Sequence, residues 1–306
     1  MKAILRSINA AAVLLLLSVA PAAAQFVIMP DSTNNRLVAF NPFDGSVINS
    51  NMFSLAGGTP IHALQVGNEI WVSEQIGDRI SRWSLSGTFL GEIGGAAGGM
   101  DNIRGMALIG DTVYVTNSGT ANGAPGNAII RVSLSGTILG NFSAVGLAPS
   151  PFGILEHQGG MLVSSSSAND DIHRFTLAGA SLGTFHNSTS LNFAQQMAYA
   201  TNGDVLAAGF SSNNVVRLDI TTGVVVGSFA ASGARGVFQL GNGNILWSNS
   251  AGVHVFDVTT STSAQVYVGG GRYLQNAPVP EPSTYATLVA GAMLFLGLRR
   301  WVRRKG

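Results

Sequence analysis

The chain has 306 residues, no cysteine and a formal net charge of +1. That charge averages unlike parts: residues 25–278 hold nine arginines, no lysine and fourteen acids, a net of −5, which argues against binding nucleic acid by neutralising phosphates. Lack of cysteine excludes disulfides, thiol catalysis and Cys-ligated zinc, and 10% charged residues with 39 glycines fit an all-β surface protein rich in turns.

The first element is a leader. Lys2 and Arg6 precede an apolar core over residues 10–19, and Ala22-Ala23-Ala24 offers a small-residue cleavage site between Ala24 and Gln25. This is the pattern of a signal peptide over residues 1–24, so export and processing by signal peptidase are expected. An exported body without disulfides must be held by its own core, and about 250 residues can bury one.

Residues 25–278 contain six copies of one unit with a period of about 40–48 residues. Each has an apolar strand, such as Ile70-Trp71-Val72-Ser73, Val113-Tyr114-Val115-Thr116, Met161-Leu162-Val163-Ser164 or Ile245-Leu246-Trp247-Ser248. A second strand with a central arginine follows: Ile80-Ser81-Arg82-Trp83, Ile129-Ile130-Arg131-Val132, Ile172-His173-Arg174-Phe175 and Val215-Val216-Arg217-Leu218. Glycine turns and a further short strand complete the unit. Four short strands at this period predict a six-bladed β-propeller, an all-β fold. The first unit begins at its second strand. The missing one is supplied by Gly271-Arg272-Tyr273-Leu274-Gln275, which matches Ala234-Arg235-Gly236-Val237-Phe238. The last strand should therefore complete blade one, closing the ring and leaving no open edge.

Aligning the units places Ile61, Arg104, Phe152, Gln195, Arg235 and Arg272 at the starts of the innermost strands. Glu74, Asn117, Ser165, Gly209, Asn249 and Pro30, with Asp31 adjacent, fall just past the second strands on the same face. Arg104, Arg235 and Arg272, with Gln195, are candidate ligands for a carboxylated or sulfated sugar, since a guanidinium forks onto such groups; arginines at strand starts also pair with nearby acids. Glu74, Asn117 and Asn249 are candidate oxygen donors for a divalent cation, calcium or magnesium, in the channel; they also suit turn-backbone bonding. His62, on an innermost strand near Glu74, is the best-placed base for an enzymatic reading. Arg82, Arg131, Arg174 and Arg217 share one repeat position and read as scaffold. Trp71 and Trp247 read as packing between blades. Asp170-Asp171 reads as a solvated loop pair, and the glycine-rich residues 94–99 as an inter-blade connection that opens no helix.

The last element is a tail over residues 279–306. Val279-Pro280-Glu281-Pro282-Ser283-Thr284 is followed by an apolar run over residues 285–298 and a basic stop, Arg299, Arg300, Arg303, Arg304 and Lys305. The prolines fix extended backbone around Glu281. The run is short for a transmembrane helix, but Trp301 and Val302 lengthen it and the arginines can reach the headgroups. Pro280, Glu281 and Pro282 in this setting resemble the PEP-CTERM sorting signal. The resemblance implies a substrate of an exosortase-type enzyme in a Gram-negative, polysaccharide-producing bacterium, anchored transiently at the inner membrane and then sent to the cell surface or outside the cell.

The blade sequence Gly67-Asn68-Glu69-Ile70-Trp71-Val72-Ser73-Glu74, with Arg79-Ile80 and Arg82 after it, resembles the NHL and virginiamycin-B-lyase-like propellers. Members of that lyase group carry a His/Glu cluster in late blades; here those blades offer only His254 and no glutamate. The expectation is therefore a binding protein for exopolysaccharide or matrix proteins. The alternatives are a metal-dependent lyase or lactonase, separable by metal content, and a structural surface protein without a specific ligand.

Overall fold

The computed structural model describes residues 25–166 and 171–277. The leader, Asp170, the Pro280-Glu281-Pro282 motif, the apolar tail run and the basic stop lie outside the described residues. Among those described, no helix is long and apolar enough to cross a membrane. The body is one compact unit, Phe26–Ala277.

Its strands form six four-stranded sheets. Blade one opens with β1 (Phe26–Asp31), β2 (Arg36–Phe40) and β3 (Val47–Ser54). Blade two is β4 (Pro60–Val66), β5 (Glu69–Glu74), β6 (Arg79–Ser84) and β7 (Phe89–Gly94). Blade three is β8 (Ile103–Ile109), β9 (Thr112–Asn117), β10 (Ala128–Ser133) and β11 (Ile138–Ser143). Blade four is β12 (Pro151–His157), β13 (Gly160–Ser165), β14 (Asp171–Thr176) and β15 (Ser181–Asn187). Blade five is β16 (Ala194–Tyr199), β17 (Val205–Gly209), β18 (Asn214–Leu218) and β19 (Val225–Ala230). Blade six is β20 (Gly236–Gln239), β21 (Ile245–Asn249), β22 (Gly252–Asp257) and β23 (Thr262–Val268). Finally β24 (Gln275–Ala277) pairs antiparallel with β1, giving the sheet order β24-β1-β2-β3. The last strand completes the first blade, as the repeats predict.

The core lies between blades. In β17, Val205, Leu206, Ala207 and Ala208 are all buried, because a neighbouring blade covers each face of the sheet. Val205 and Ala207 pack toward blade four with Leu162 and Phe185, while Leu206 and Ala208 pack toward blade six with Val237 and Trp247. Alternation along the strand thus feeds two cores. Ring closure has its own core: Val27, Met29, Val38 and Phe40 of blade one meet Leu240, Leu246 and Tyr267 of blade six. The outer strands have one face in solvent; β3 is exposed along most of its length.

The structure corrects one alignment. The position at the end of the second strand of blade one belongs to Asp31, not Pro30. Asp31 ends β1 and pairs with Arg36, as Glu74 ends β5 and pairs with Arg79. β24 reaches only Phe26–Ile28 of β1, so the N–H that Pro30 lacks breaks no bond to that strand. Residues 95–97 between blades two and three wind a single 3₁₀ turn where the sequence suggests none.

Asp31 also ties the closing segment to blade one. Its carboxylate is fully buried. Oδ1 accepts from the Gly270 N–H at 2.8 Å, and Oδ2 accepts from the Tyr267 hydroxyl at 2.6 Å and the Asn34 amide at 2.7 Å. Arg36 reaches Oδ2 at 3.3 Å.

Candidate functional site

The six residues that begin the inner strands form a ring joined blade to blade. The fourth residue of the apolar second strand is Ser73, Thr116, Ser164 or Ser248 in four blades. Each hydroxyl donates to a carbonyl in the next blade: Ser73 to Arg104, Thr116 to Phe152 at 2.9 Å, Ser164 to Gln195 at 2.6 Å and Ser248 to Arg272 at 2.6 Å. Three of them also accept a backbone N–H from their own blade, from His62, Gly105 and Gly153. Blades one and five carry Pro30 and Ala208 at this position and have no hydroxyl. There the backbone closes the gap directly: the Tyr273 N–H donates to the Ile61 carbonyl at 3.1 Å and the Gln196 N–H to the Arg235 carbonyl at 3.1 Å. The approach is close. A Cβ on Gly105 would lie 2.4 Å from the Phe152 carbonyl oxygen, and one on Gly153 2.2 Å from that of Gln195.

This ring sets out the candidate arginines. Arg104 lies on β8, Arg235 one residue before β20, and Arg272 three before β24, yet their carbonyls occupy equivalent places. The chain enters each inner strand through a residue two positions earlier. That residue is left-handed in five blades: Thr59 (φ 59°), Asn102 (φ 55°), Ser150 (φ 52°), Phe193 (φ 54°) and Gly233 (φ 61°).

Arg104, Arg235 and Arg272 all lie near enough to Tyr273 for their charge to bear on its hydroxyl. The Tyr273 side chain is buried, and burial, opposed by the nearby positive charges of Arg104, Arg272 and Arg235, pushes its hydroxyl above the usual phenol range. Burial holds Arg104 down at about 10. Burial and then repulsion from Arg235 hold Arg272 down at about 10, and burial lowers Arg235 in the same direction. All three remain cationic at neutral pH. Among the described residues, no carboxylate pairs with any of them, whereas Arg36, Arg79, Arg82 and Arg217 each have one. Their polar contacts are neutral: Arg104 donates to the Ser150 hydroxyl and the Pro151 carbonyl, Arg272 to the Ser32 hydroxyl at 2.8 Å. The Tyr273 hydroxyl and the Nε atoms of Arg104 and Arg235 are buried without a hydrogen-bond partner.

Two of the arginines lie on aromatic faces. Arg104 sits 3.9 Å from the Phe152 ring centroid and Arg235 5.6 Å from that of Phe210. Phe193 stands between those rings, 4.8 Å from Phe152 and 5.1 Å from Phe210. The mouth is therefore a cationic cup with an aromatic arc along blades four and five.

Tyr273 and His62 line a cavity of about 160 Å³ together with Met106, Leu108, Leu155 and Gln196. The His62 and Tyr273 rings meet edge to face at 5.4 Å. Nδ1 of His62 accepts the Met106 N–H at 3.0 Å, and Nε2 faces Gln275 Oε1 at 3.2 Å. Burial pushes His62 down to about 4, so the ring is neutral at pH 7. Gln196 crosses from blade five, accepting from the Val237 and Leu274 N–H groups and donating to the Leu274 carbonyl at 2.6 Å.

The candidate cation ligands stay in their own turns. Glu74 is buried against Arg79 at 2.7 Å, with Oε1 left without a partner. Asn117 donates to the Gly119 and Gly126 carbonyls and accepts from the Asp101 N–H. Asn249 accepts from the Ala251 and Gly252 N–H groups and donates to the Ser232 carbonyl. No three His, Asp or Glu side chains cluster among the described residues. Gln195 is buried, and its carbonyl serves the ring. Arg82 forks onto Glu69 at 2.7 and 2.8 Å beside Trp71, and Arg217 reaches Asp204 at 3.7 Å. Trp71 and Trp247 are buried between blades. Tyr273, Phe193 and Phe210 are additions to the sequence-derived set. Phe193 alone had a local signal, a bulky residue where the other blades carry Thr, Asn, Ser or Gly.

No protein-family model and no curated protein sequence matches the chain. Solved structures do. A protein of unknown function from Bacteroides caccae aligns over 83% of this chain and 98% of its own, with a TM-score of 0.61 and 16% identity. The nidogen/laminin complex contributes a chain aligned over 83% of this one and 98% of its own, with a TM-score of 0.68 and 13% identity. A catalytically inactive virginiamycin B lyase from Staphylococcus aureus, solved with quinupristin, aligns over 85% and 93%, with a TM-score of 0.56 and 13% identity. At such identities the likeness is one of fold: this chain is similar to these proteins in carrying a propeller of the same architecture.

Proposed function

We propose that this chain is an exported binding protein of the cell surface or extracellular matrix, and that it takes the acidic groups of an exopolysaccharide or matrix glycan at the arginine mouth. The observation that carries this is that, among the described residues, Arg104, Arg235 and Arg272 pair with no carboxylate, in a body whose acids outnumber its arginines. Desolvated cations gathered with no carboxylate partner among the described residues are unfavourable in the free protein. A carboxylate or sulfate would accept from several N–H groups at once. The leader and the sorting-signal tail support delivery outside the cytoplasm, with signal peptidase and an exosortase-type enzyme as processing partners. The lyase or lactonase reading has less behind it, because Nδ1 of His62 already accepts a backbone bond and the candidate metal donors serve their own turns.

The test replaces Arg104, Arg235 and Arg272 together with glutamine. The purified protein is passed over a polyuronate or sulfated-glycan column and over a neutral glucan column at about 0.15 M salt, where only close charge contacts persist. Retention by the acidic polymers alone, lost in the triple variant, is expected. Equal retention of the two proteins overturns the reading.

A further inference from the structure

In blades one to five the outermost strand carries a β-bulge at one repeat position. Its pairing with the third strand slips at Ala39/Phe40, Arg82/Trp83, Arg131/Val132, Arg174/Phe175 and Arg217/Leu218. The residue left out of the ladder is Ile48, Leu90, Leu139, Leu182 or Val226. Blade six pairs regularly there, Phe256 with Ser263. A bulge re-aims a side chain and blunts a sheet edge. Blunting needs no particular side chain, and a polar one suits water better. Yet all five are large aliphatics, each 48–55% exposed.

These five side chains share one end of the propeller. Each follows the turn between the third and fourth strands, at the end away from the arginines. In blade one, Asn276, Val27, Phe40 and Val47 form one row across the sheet, so Ile48 lies at the end where β24 finishes. Arg272 bonds Ser32 at the other end. In blades three and four an arginine stands opposite the glycine after the bulge, Arg131 opposite Gly140 and Arg174 opposite Gly183. Among the described residues neither pairs with a carboxylate. Asp44, Asp219 and Asp257 occupy turns at the same end, so the rim as a whole is not cationic.

We propose that this rim seats the propeller on a phospholipid surface, with the arginine mouth turned away from it. The aliphatics enter the boundary between headgroups and acyl chains, and Arg131 and Arg174 meet headgroup phosphates. Two observations favour lipid. The aliphatics lie on five successive blades, so a bound strand or helix would reach one or two of them, whereas a flat surface reaches all. The polypeptide also leaves the propeller at this end: seven residues, 278–284, separate Ala277 from the apolar run over residues 285–298. Seven residues reach at most about 25 Å, so a run held in a bilayer would keep this end close to the lipid. The inference rests on the tail being a membrane anchor, as proposed above, and not on the arginine mouth binding an anion.

The chain has no cysteine, so one introduced cysteine carries one label. Full-length Ser135→Cys, in a turn at the rim, and Val145→Cys, at the other end, are labelled with an environment-sensitive dye. Both are reconstituted into phosphatidylcholine vesicles containing a headgroup-nitroxide lipid. The Ser135 label should be quenched and the Val145 label should not. Replacing the five aliphatics with serine should abolish the quenching while the protein still floats with the vesicles, since each half-exposed aliphatic contributes roughly fivefold to partitioning. Thermal melting checks folding of that variant; Leu90→Ser, Leu139→Ser and Leu182→Ser together replace it if it is unfolded, and should weaken the quenching. Adding anionic lipid should not strengthen the quenching. A floating protein whose Ser135 label stays unquenched overturns the lipid rim and leaves the anchor standing. Quenching unchanged in the serine variant also overturns it. A Ser135 label shielded equally without nitroxide lipid, in a protein of twice the monomer mass, makes the rim an interface between two copies and overturns it too. A protein that does not float removes the anchor, and this inference with it.

Discussion

Thr116 of blade three donates its hydroxyl to the Phe152 carbonyl of blade four, 2.9 Å away, while accepting the Gly105 N–H of its own blade at 2.8 Å. One buried side chain thus holds two blades at a fixed spacing around the channel. Thr116→Val keeps the shape and removes the hydroxyl, leaving a buried N–H without its acceptor. The expected loss is about 2 kcal/mol in denaturant unfolding. Blades one and five join without a hydroxyl, so Ala208→Ser should give no comparable gain. A Thr116→Val protein as stable as wild type would show that the hydroxyl ring contributes nothing.

Asp31 links acid stability to ring closure. Burial alone would raise its carboxyl. Hydrogen bonds from Asn34 and Tyr267 and from the Gly270 and Asn34 N–H groups outweigh burial and hold it at about 2, below its ordinary 3.8. A pKa lowered by folding means stabilisation that is complete above pH 3.8 and lost as the pH falls toward 2. The amount is about 2 kcal/mol. Asp31→Asn should cost at least that at pH 7, and its stability should vary less with pH between 4 and 2. Unfolding curves of both proteins across that range test it; parallel curves would place the acid lability elsewhere.

His62 acts in a higher window. Burial lowers it from 6.5 to about 4. The unfolded chain takes up the proton first, so stability declines as the pH falls from about 6.5 toward 4, by about 3 kcal/mol. His62→Asn offers the Met106 N–H an oxygen acceptor and removes the titration. Its unfolding free energy should fall less than that of wild type over that window, the remaining slope coming from His157 and His254, which burial also lowers. If wild type is itself flat between pH 7 and 5, the ring does not stay neutral on folding.

Much of this architecture is written in the repeats. The four-residue apolar strands and the displaced Gly271-Arg272-Tyr273-Leu274-Gln275 segment predict blade number, strand order and closure, because each is a local pattern. The recurring Ser73, Thr116, Ser164 and Ser248 were visible too, but their acceptors are 24 to 36 residues away and exist only once the blades are adjacent. The arginine mouth was legible by alignment, since equivalent repeat positions share one end of the channel. Tyr273, Phe193 and Phe210 were not, because what joins them to the arginines is a shared cup formed by several blades. Pro30 was misplaced by one residue because blade one, split between the chain ends, has the weakest register in sequence.

The arginine mouth should also cost the free protein stability. Arg235 has a buried Nε without a partner, is lowered by burial, and repels Arg272. Its contact with the Phe210 face offsets part of this. Arg235→Gln removes a like charge, so the variant should unfold at the same temperature as wild type or a few degrees higher in low-salt, anion-free buffer. Added sulfate or glucuronate should raise the melting temperature of wild type more than that of the variant, since a ligand stabilises only the state that binds it. A fall of several degrees in anion-free buffer would instead make Arg235 a structural residue held by its aromatic contact. Equal anion shifts in the two proteins would place the bound anion away from this mouth.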